Sequence, residues 1–220
     1  MSKLLLLLAL TGTLAAVVVP NLAAANGIYT CTGTVGSPVT AATTTVDSNL
    51  RVPDGASCSL YGVTVTGNVI VDGGDLVAVG NTFEKNLVVH GGSVTIGCFG
   101  SILCSIHGGN FILGNAVMTN VERISLTRTT ESGNLTVVGA SSFDLELSRA
   151  DGNVMIGNSA DVLVFSGTYG GDVRVVNSAD VRIGDIDVSG VLDCEANTPA
   201  PDLAGVINAG TFAGQCAPSG

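Results

Sequence analysis

The chain has 220 residues, of which 46% are hydrophobic and 12% are charged, a composition that excludes an intrinsically disordered protein. The 18 acidic and 8 basic residues give a net charge of −10, which disfavours nucleic acid and anionic membranes as partners. The 30 glycines, against 6 prolines, indicate many tight turns.

The first predicted element is an export signal over residues 1–25. Lys3 precedes an uncharged, mostly apolar run at 4–19, Pro20 ends this run, and an Ala-Ala-Ala sequence at 23–25 fits a cleavage site. The run is shorter than the roughly 20 residues of a membrane span, and no basic stop follows it. We therefore expect a secreted or cell-surface protein with no membrane span after cleavage.

Residues 26–220 are predicted to form one domain built from a short repeat. Six segments begin with Gly-Asn or a close variant and continue with strand-forming residues, and 190–194 continues the series. They are GNVIV (67–71), KNLVV (85–89), GNFIL (109–113), GNLTV (133–137), GNVMI (152–156) and GDVRV (171–175). Gly133, Gly152, Gly171 and Gly190 are each 19 residues apart. Self-similarity at this period is typical of stacked supersecondary units.

A second short strand follows each first strand after about eight residues, and the segment 116–121 is assigned to this second set. Strands this short cannot bury an apolar face alone, so they must stack. Period-two alternation predicts inward side chains, among them Phe111, Leu113 and Leu147.

The sequence therefore predicts an all-β, single-stranded parallel solenoid with roughly 19 residues per coil. An N-terminal cap over 26–50 and a C-terminal cap over 195–220 are expected to cover its open ends, because exposed strand edges promote aggregation.

All six cysteines follow the predicted signal peptide, at Cys31, Cys58, Cys98, Cys104, Cys194 and Cys216. An even number in an exported chain indicates disulfide bonds. Several pairings are possible, and sequence order favours the local pairs Cys31–Cys58, Cys98–Cys104 and Cys194–Cys216.

Two stretches carry a resemblance to a known family. YTCTG (29–33) with LRVPDGASCSLYGVTVTGNVIV (50–71), and the ending CEANTPAPDLAGVINAGTFAGQC (194–216), resemble exported bacterial parallel β-helix proteins of the pectin-lyase-like type. The resemblance implies a right-handed helix and a bond between Cys31 and Cys58. The functions of these proteins are mostly unassigned, and the resemblance carries over no catalytic residue.

Many parallel β-helices act on acidic polysaccharides, a chemistry that needs clustered aspartates. The candidate catalytic residues for such a lyase or hydrolase are Asp161, Asp180, Asp185 and Asp187, on neighbouring coils. Aspartate is also an ordinary turn residue, and the 4% of aromatic residues provide few surfaces for sugar stacking. A structural or adhesive protein without catalytic activity is therefore favoured over this alternative.

His90, His107, Cys98 and Cys104 are the residue types of a tetrahedral zinc site. In an oxidising compartment, two such cysteines more often form a disulfide bond. The segment 72–75, Asp-Gly-Gly-Asp, lacks the nonapeptide of calcium-binding β-rolls. No metal and no cofactor is therefore expected.

An Asn or Asp recurs near the start of each unit and is predicted to stack into a ladder. The row consists of Asn68, Asn86, Asn110, Asn134, Asn153 and Asp172. It could form a row of metal or ligand contacts, but these residues also stabilise turns, and we interpret the row as structural.

The middle residue of each first strand is predicted to point outward. In order these residues are Ile70, Val88, Ile112, Thr136, Met155 and Arg174. Strand propensity alone favours such residues, but an exposed apolar stripe of Ile70, Val88, Ile112 and Met155 also marks an interaction surface. The expected partner is a second copy of the chain or a cell-surface component.

Overall fold

The computed structural model describes residues 27–40, 43–97 and 105–218. In these ranges, parallel strands form one continuous sheet that winds into a solenoid of about nine turns, here called coils, with about 19 residues in each. The predicted all-β parallel solenoid is confirmed.

Each coil contributes three strands, which stack into three faces. Face 1 contains β1 (Ile28–Thr30), β4 (Asn49–Val52), β7 (Val69–Asp72), β10 (Leu87–His90), β13 (Ala116–Thr119), β16 (Leu135–Val138), β19 (Val154–Gly157) and β22 (Val173–Val176). Face 2 contains β2 (Thr34–Gly36), β5 (Ser57–Tyr61), β8 (Asp75–Val79), β11 (Ser93–Ile96), β14 (Arg123–Thr127), β17 (Ser142–Glu146) and β20 (Asp161–Phe165). Face 3 contains β3 (Thr44–Val46), β6 (Val63–Val65), β9 (Thr82–Phe83), β12 (Asn110–Ile112), β15 (Thr129–Glu131), β18 (Arg149–Ala150) and β21 (Thr168–Tyr169). Two long strands, β23 (Val181–Glu195) and β24 (Asp202–Gly214), turn the corners and contribute to all three faces.

The core is a set of columns in which one apolar side chain stacks on the next. On face 1, successive coils align Leu50, Val69, Leu87, Ala116, Leu135, Val154, Val173 and Leu192, all of them buried. Medium-sized β-branched and leucine side chains suit this narrow interior, because each strand offers only two or three inward positions.

One segment of the repeat was assigned to the wrong face. Residues 109–113 do not form a first strand: β12 lies on face 3, where Ile112 is buried, and Phe111 and Leu113 are exposed. The first strand of this coil is β13, so the assignment of 116–121 to the second set was also wrong. Gly-Asn occurs at both 109–110 and 114–115, and a shift by an odd number of residues reverses the inward and outward positions.

Leu147 was also predicted to point inward, and its side chain is 52% exposed. Strand β17 ends at Glu146, and Leu147 follows at the corner between faces 2 and 3 with a φ of 49°. Residues Arg128, Ser166 and Asp185 have the same left-handed backbone at the equivalent corner of other coils. Alternation therefore ends one residue earlier than the apolar pattern suggested.

The glycines spaced 19 residues apart form a column at the corner between faces 3 and 1. A Cβ atom at Gly152 would contact the backbone carbonyl of Gly133, and a Cβ atom at Gly171 would contact that of Gly152. The coils approach each other too closely here for any side chain, which explains the strict recurrence of glycine.

Disulfide bonds hold both ends of the solenoid. Cys31 pairs with Cys58 and Cys194 pairs with Cys216, with Cα–Cα distances of 5.5 and 5.2 Å, and these two predicted pairs are confirmed. Cys98 and Cys104 lie outside the described residues. The ranges predicted as caps include β1 to β3 at one end and β24 at the other, so strands of the same sheet occupy both ends.

Candidate functional site

The outer surface of face 1 carries a row of aligned apolar and methyl-bearing side chains. Strand pairing places them in register, one per coil: Ile70, Val88, Val117, Thr136 and Met155. We call this row the face-1 stripe. Its first four side chains are partly exposed, and Met155 is 42% exposed. Val117 takes the place that the sequence assigned to Ile112, which is fully buried on face 3.

Charged residues mark both ends of the face-1 stripe. Arg51 lies one coil before Ile70 and contacts Asp72 at 2.7 Å. Arg174 lies one coil after Met155 and contacts Asp193 at 3.2 Å and Glu195 at 2.7 Å. The apolar row is thus bounded by an ion pair at one end and a three-residue charged cluster at the other.

The polar ladder runs beside the stripe, at the corner between faces 3 and 1. Its members are Asn49, Asn68, Asn86, Asn115, Asn134, Asn153 and Asp172, each side-chain oxygen accepting a hydrogen bond from a backbone N–H of the next coil at 2.8 to 3.2 Å. Asn110 was predicted in this ladder, and the structure corrects this: it is buried at the corner between faces 2 and 3. There its Oδ1 accepts from the backbone N–H of Asn81. Sequence reasoning missed Asn49 and Asn115. Gly114 and Asn115 form a second Gly-Asn pair, and this pair was the sequence signal that could have identified Asn115 as the ladder residue of its coil.

A second ladder lies at the corner between faces 1 and 2. The hydroxyls of Ser159 and Ser178 accept from backbone N–H groups of the preceding coil, and Asn197 continues the row. A groove of about 600 Å³ runs along this corner, with Asn158 and Asn177 exposed in it. The sequence Asn-Ser-Ala-Asp-Val, which occurs at 158–162 and again at 177–181, therefore builds a corner, with its serines buried.

A cavity of about 480 Å³ lies at the C-terminal end of face 2. Its lining includes Asp161, Asp180, Arg182 and Asp202. Arg182 contacts Asp161 at 3.1 Å. Two of the four predicted catalytic aspartates, Asp161 and Asp180, are therefore brought together, in the company of an arginine.

The other two predicted aspartates lie elsewhere. Asp185, at the corner between faces 2 and 3, accepts a hydrogen bond from the backbone N–H of Val206 at 2.9 Å. Asp187, on face 3, accepts one from the Asn208 side chain at 2.6 Å. The four aspartates do not form one site. The chain turns a corner at Asp185, so Asp187 points outward from a different face than Asp161 and Asp180.

Asp144 is an acidic residue near the cavity that sequence reasoning missed. Burial raises the pKa of the Asp144 carboxyl, the charge of Asp161 raises it further, and Arg123 and Arg182 lower it. A carboxyl group with a raised pKa is suited to the role of the acid in a carboxyl pair. The available signal was the outward position of Asp144 between the inward Phe143 and Leu145.

The residues that were weighed as zinc ligands form no complete site in the described part of the chain. His90 forms a hydrogen bond with Thr119 at 2.7 Å, and Cys98 and Cys104 lie outside the described residues. Among the described residues, no group of three or more His, Cys, Asp or Glu side chains could hold a metal ion. No helix in the same ranges is long and apolar enough to cross a membrane.

Comparison of the chain with protein-family models, with curated proteins and with solved structures finds no match.

Proposed function

We propose that this chain is an exported structural or adhesive β-solenoid, a rod without catalytic activity that associates side by side with a second copy through the face-1 stripe. The observation that carries the proposal is the register of five outward apolar or methyl-bearing residues on consecutive coils. The disulfide bonds at both ends suit an oxidising compartment and a rod that must keep its ends ordered.

Charge complementarity favours a second copy in antiparallel orientation. The stripe is centred on Val117, and half a coil beyond it, between Val117 and Thr136, lies the midpoint between Arg51 and Asp193 along face 1. A two-fold axis through this midpoint places Arg51 of each copy opposite Asp193 of the other, and it also places Ile70 opposite Arg174 and Val88 opposite Met155. Such an isologous contact closes after two copies and pairs opposite charges at both ends.

The stripe is narrow, which sets the expected strength of the association. It is one to two outward side chains wide, with Val138 and Val176 beside it on the same face, and it extends over about 20 Å at the spacing of parallel strands. The buried area would fall at the low end of specific interfaces. We therefore expect a weak, reversible dimer that becomes effective at high local concentration.

The test is the triple variant Ile70→Thr, Val88→Thr, Val117→Thr, analysed by sedimentation equilibrium. Threonine keeps the strand propensity of these positions and removes much of the apolar surface, so the fold should persist and the dimer should weaken about tenfold or more. The matched control is Val77→Thr, Phe111→Thr, Leu163→Thr, which changes outward residues of faces 2 and 3. An unchanged dimer in the stripe variant, or an equal loss in the control, contradicts the proposal.

A second candidate function rests on the face-2 cavity with its aspartates and Arg182. In this alternative the chain is an extracellular lyase or hydrolase of acidic polysaccharides, with Asp144 and Asp161 as the acid–base pair. Release of unsaturated or reducing ends from such polymers would support it, provided that Asp161→Asn abolishes the release. Asp187→Asn, outside the cavity on face 3, is the matched control and should retain it.

A further inference from the structure

Within the described residues, the last coil of the solenoid has an open strand edge. β24 pairs with β23 on one side, and no strand within the described residues pairs with its other side. This edge runs round the whole cross-section, along face 2 at 202–204, face 3 at 207–209 and face 1 at 211–214. Unpaired backbone groups on such an edge are a template for another strand.

The same end leaves the core uncovered. Leu203, Ile207 and Phe212 occupy the inward positions of β24, and Leu203 is 39% exposed while the other two are partly exposed. Their partners in the preceding coil, Ile183, Ile186 and Leu192, are buried. Val206, between faces 2 and 3, is 67% exposed. The end therefore presents both unpaired backbone and apolar side chains.

Protective features typical of free edges are scarce here. Natural edge strands carry lysine, proline or inward charges that block pairing. In β24 the one charged residue is Asp202, at its first position, and there is no Lys, Arg or Pro in the strand. The Cys194–Cys216 bond and the hydrogen bonds between Gln215 and Asn197 hold this coil in place. An ordered, nearly uncharged edge offers little electrostatic repulsion to a second one.

We propose that this edge joins two copies of the chain end to end, about a two-fold axis perpendicular to the solenoid. The end of a solenoid is a ramp that rises by one strand spacing per coil, from 202–204 through 207–209 to 211–214. The two-fold axis passes through face 3. It places 207–209 against itself and the low strand 202–204 of each copy against the high strand 211–214 of the other. The ramp is thus complementary to itself, and antiparallel pairing extends over all three faces.

A head-to-tail junction fits less well. The described chain opens on face 1 with β1, and β24 also ends on face 1. If β1 were stacked on 211–214, faces 2 and 3 at the junction would each lack one strand, so the ramps would not close. The described geometry therefore favours a closed dimer through the C-terminal ends over an open filament.

Sedimentation equilibrium of Val206→Lys in the full chain tests this junction. A lysine at this exposed edge position should weaken the end-to-end dimer about tenfold or more, as charges on natural edges do. The matched control is Val39→Lys, the same substitution at a residue that is 77% exposed in the first coil, and it should leave the dimer unchanged. The junction is refuted if the chain is monomeric at about 100 μM. A loss in Val39→Lys, alone or together with Val206→Lys, also refutes it, because the N-terminal end then takes part.

A cross-link gives a second, positive measurement. Asn208 lies on face 3 near the proposed axis, so Asn208→Cys should yield a disulfide-linked dimer under mild oxidation, whereas Thr45→Cys, on face 3 of the first coil, should not. This inference is independent of the face-1 stripe. The stripe triple variant should keep the Asn208→Cys cross-link, and Val206→Lys should keep the side-by-side association, so each proposal can fail alone.

Discussion

Two stretches of the solenoid share one cross-section but differ in regularity. Within residues 133–195, ladder residues recur every 19 positions, as from Asn134 to Asn153, and the glycine column is unbroken. Between Asn86 and Asn115 the spacing is 29 residues, because the inserted segment 97–109 separates β11 on face 2 from β12 on face 3. In the first stretch every coil has the same length, so the register continues unchanged from coil to coil. In the second stretch an insertion interrupts the repeat, and the strands after it must be aligned by contacts between coils.

Unfavourable groups gather where the repeat is interrupted. Glu131 is buried in the core of the coil that follows the insertion, Asn110 has a buried Nδ2 atom with no hydrogen-bond partner among the described residues, and Phe111 and Leu113 are exposed. On face 1 of the regular coils, each inward side chain stacks on a side chain of similar size and polarity in the next coil. The comparison indicates that stacking of like on like, rather than strand propensity alone, stabilises this fold.

The largest expected effect comes from filling the glycine column of the regular stretch. Gly152→Ala places a Cβ atom against the carbonyl of Gly133, and we expect the free energy of unfolding to fall by about 3 kcal/mol. Gly108→Ala, beside the insertion, meets no atom of the described residues within 4 Å and is strained by its φ of 73°, so it should cost about 1 kcal/mol. Urea unfolding of both variants measures the difference. Equal losses would show that the coils can separate at the column.

The regular stretch was predictable because several signals agreed there. Glycine spacing, alternation and the Asn row all indicate the same register from Gly133 to Gly190, and the structure stacks those glycines. Near the insertion, Gly109 and Gly114 are equally good starts by local pattern. Only the pairing of Ala116 with Leu87 and Leu135 decides between them, and that is a contact between coils.

The candidate sites were less predictable than the fold. Ile70, Val88 and Met155 were assigned to the correct outward row, because alternation within a strand is a local property. The aspartates were assigned to one cluster, yet Asp187 lies on another face than Asp161. The positions of corners determine which outward residues converge, and left-handed residues such as Asp180 and Asp185 give no reliable sequence signal for them.

The second prediction is that the stability of the fold depends on pH because of Glu131, a residue of the coil that follows the insertion. Burial raises the pKa of Glu131 from 4.5 to about 8, while a hydrogen bond from the backbone N–H of Ala116 opposes the shift. The unfolded chain releases this proton near pH 4.5 and the folded chain near pH 8, so the folded state binds more protons between these values. Stability is therefore highest below pH 4.5 and falls by roughly 1.4 kcal/mol per pH unit up to about pH 8.

Glu131→Gln removes this dependence and keeps a side-chain acceptor for Ala116. The variant should match the original chain at low pH and be more stable than it by about 3 kcal/mol at pH 7. Urea unfolding across this range measures both curves, and the other titrating groups cancel in the difference. If the two curves run parallel, Glu131 ionises in the folded state with an ordinary pKa.

The smallest effect concerns an irregularity within the regular stretch itself. The Tyr169 hydroxyl is buried against Gly167, has no hydrogen-bond partner among the described residues, and burial raises the pKa of this group. A hydroxyl without a partner contributes no hydrogen bond to offset its lost hydration, so Tyr169→Phe should be neutral or stabilise the fold by up to about 1 kcal/mol.

The contrasting variant is Asn134→Ala, which removes the oxygen that accepts from the backbone N–H of Asn153 at 2.9 Å. That N–H would lose its partner, and the loss should be about 1 kcal/mol. Thermal unfolding of the two variants should therefore give shifts of opposite sign or a shift in Asn134→Ala alone. A clear loss in Tyr169→Phe would mean that the hydroxyl is hydrogen-bonded, and that the regular coils hold no unfavourable group at this position.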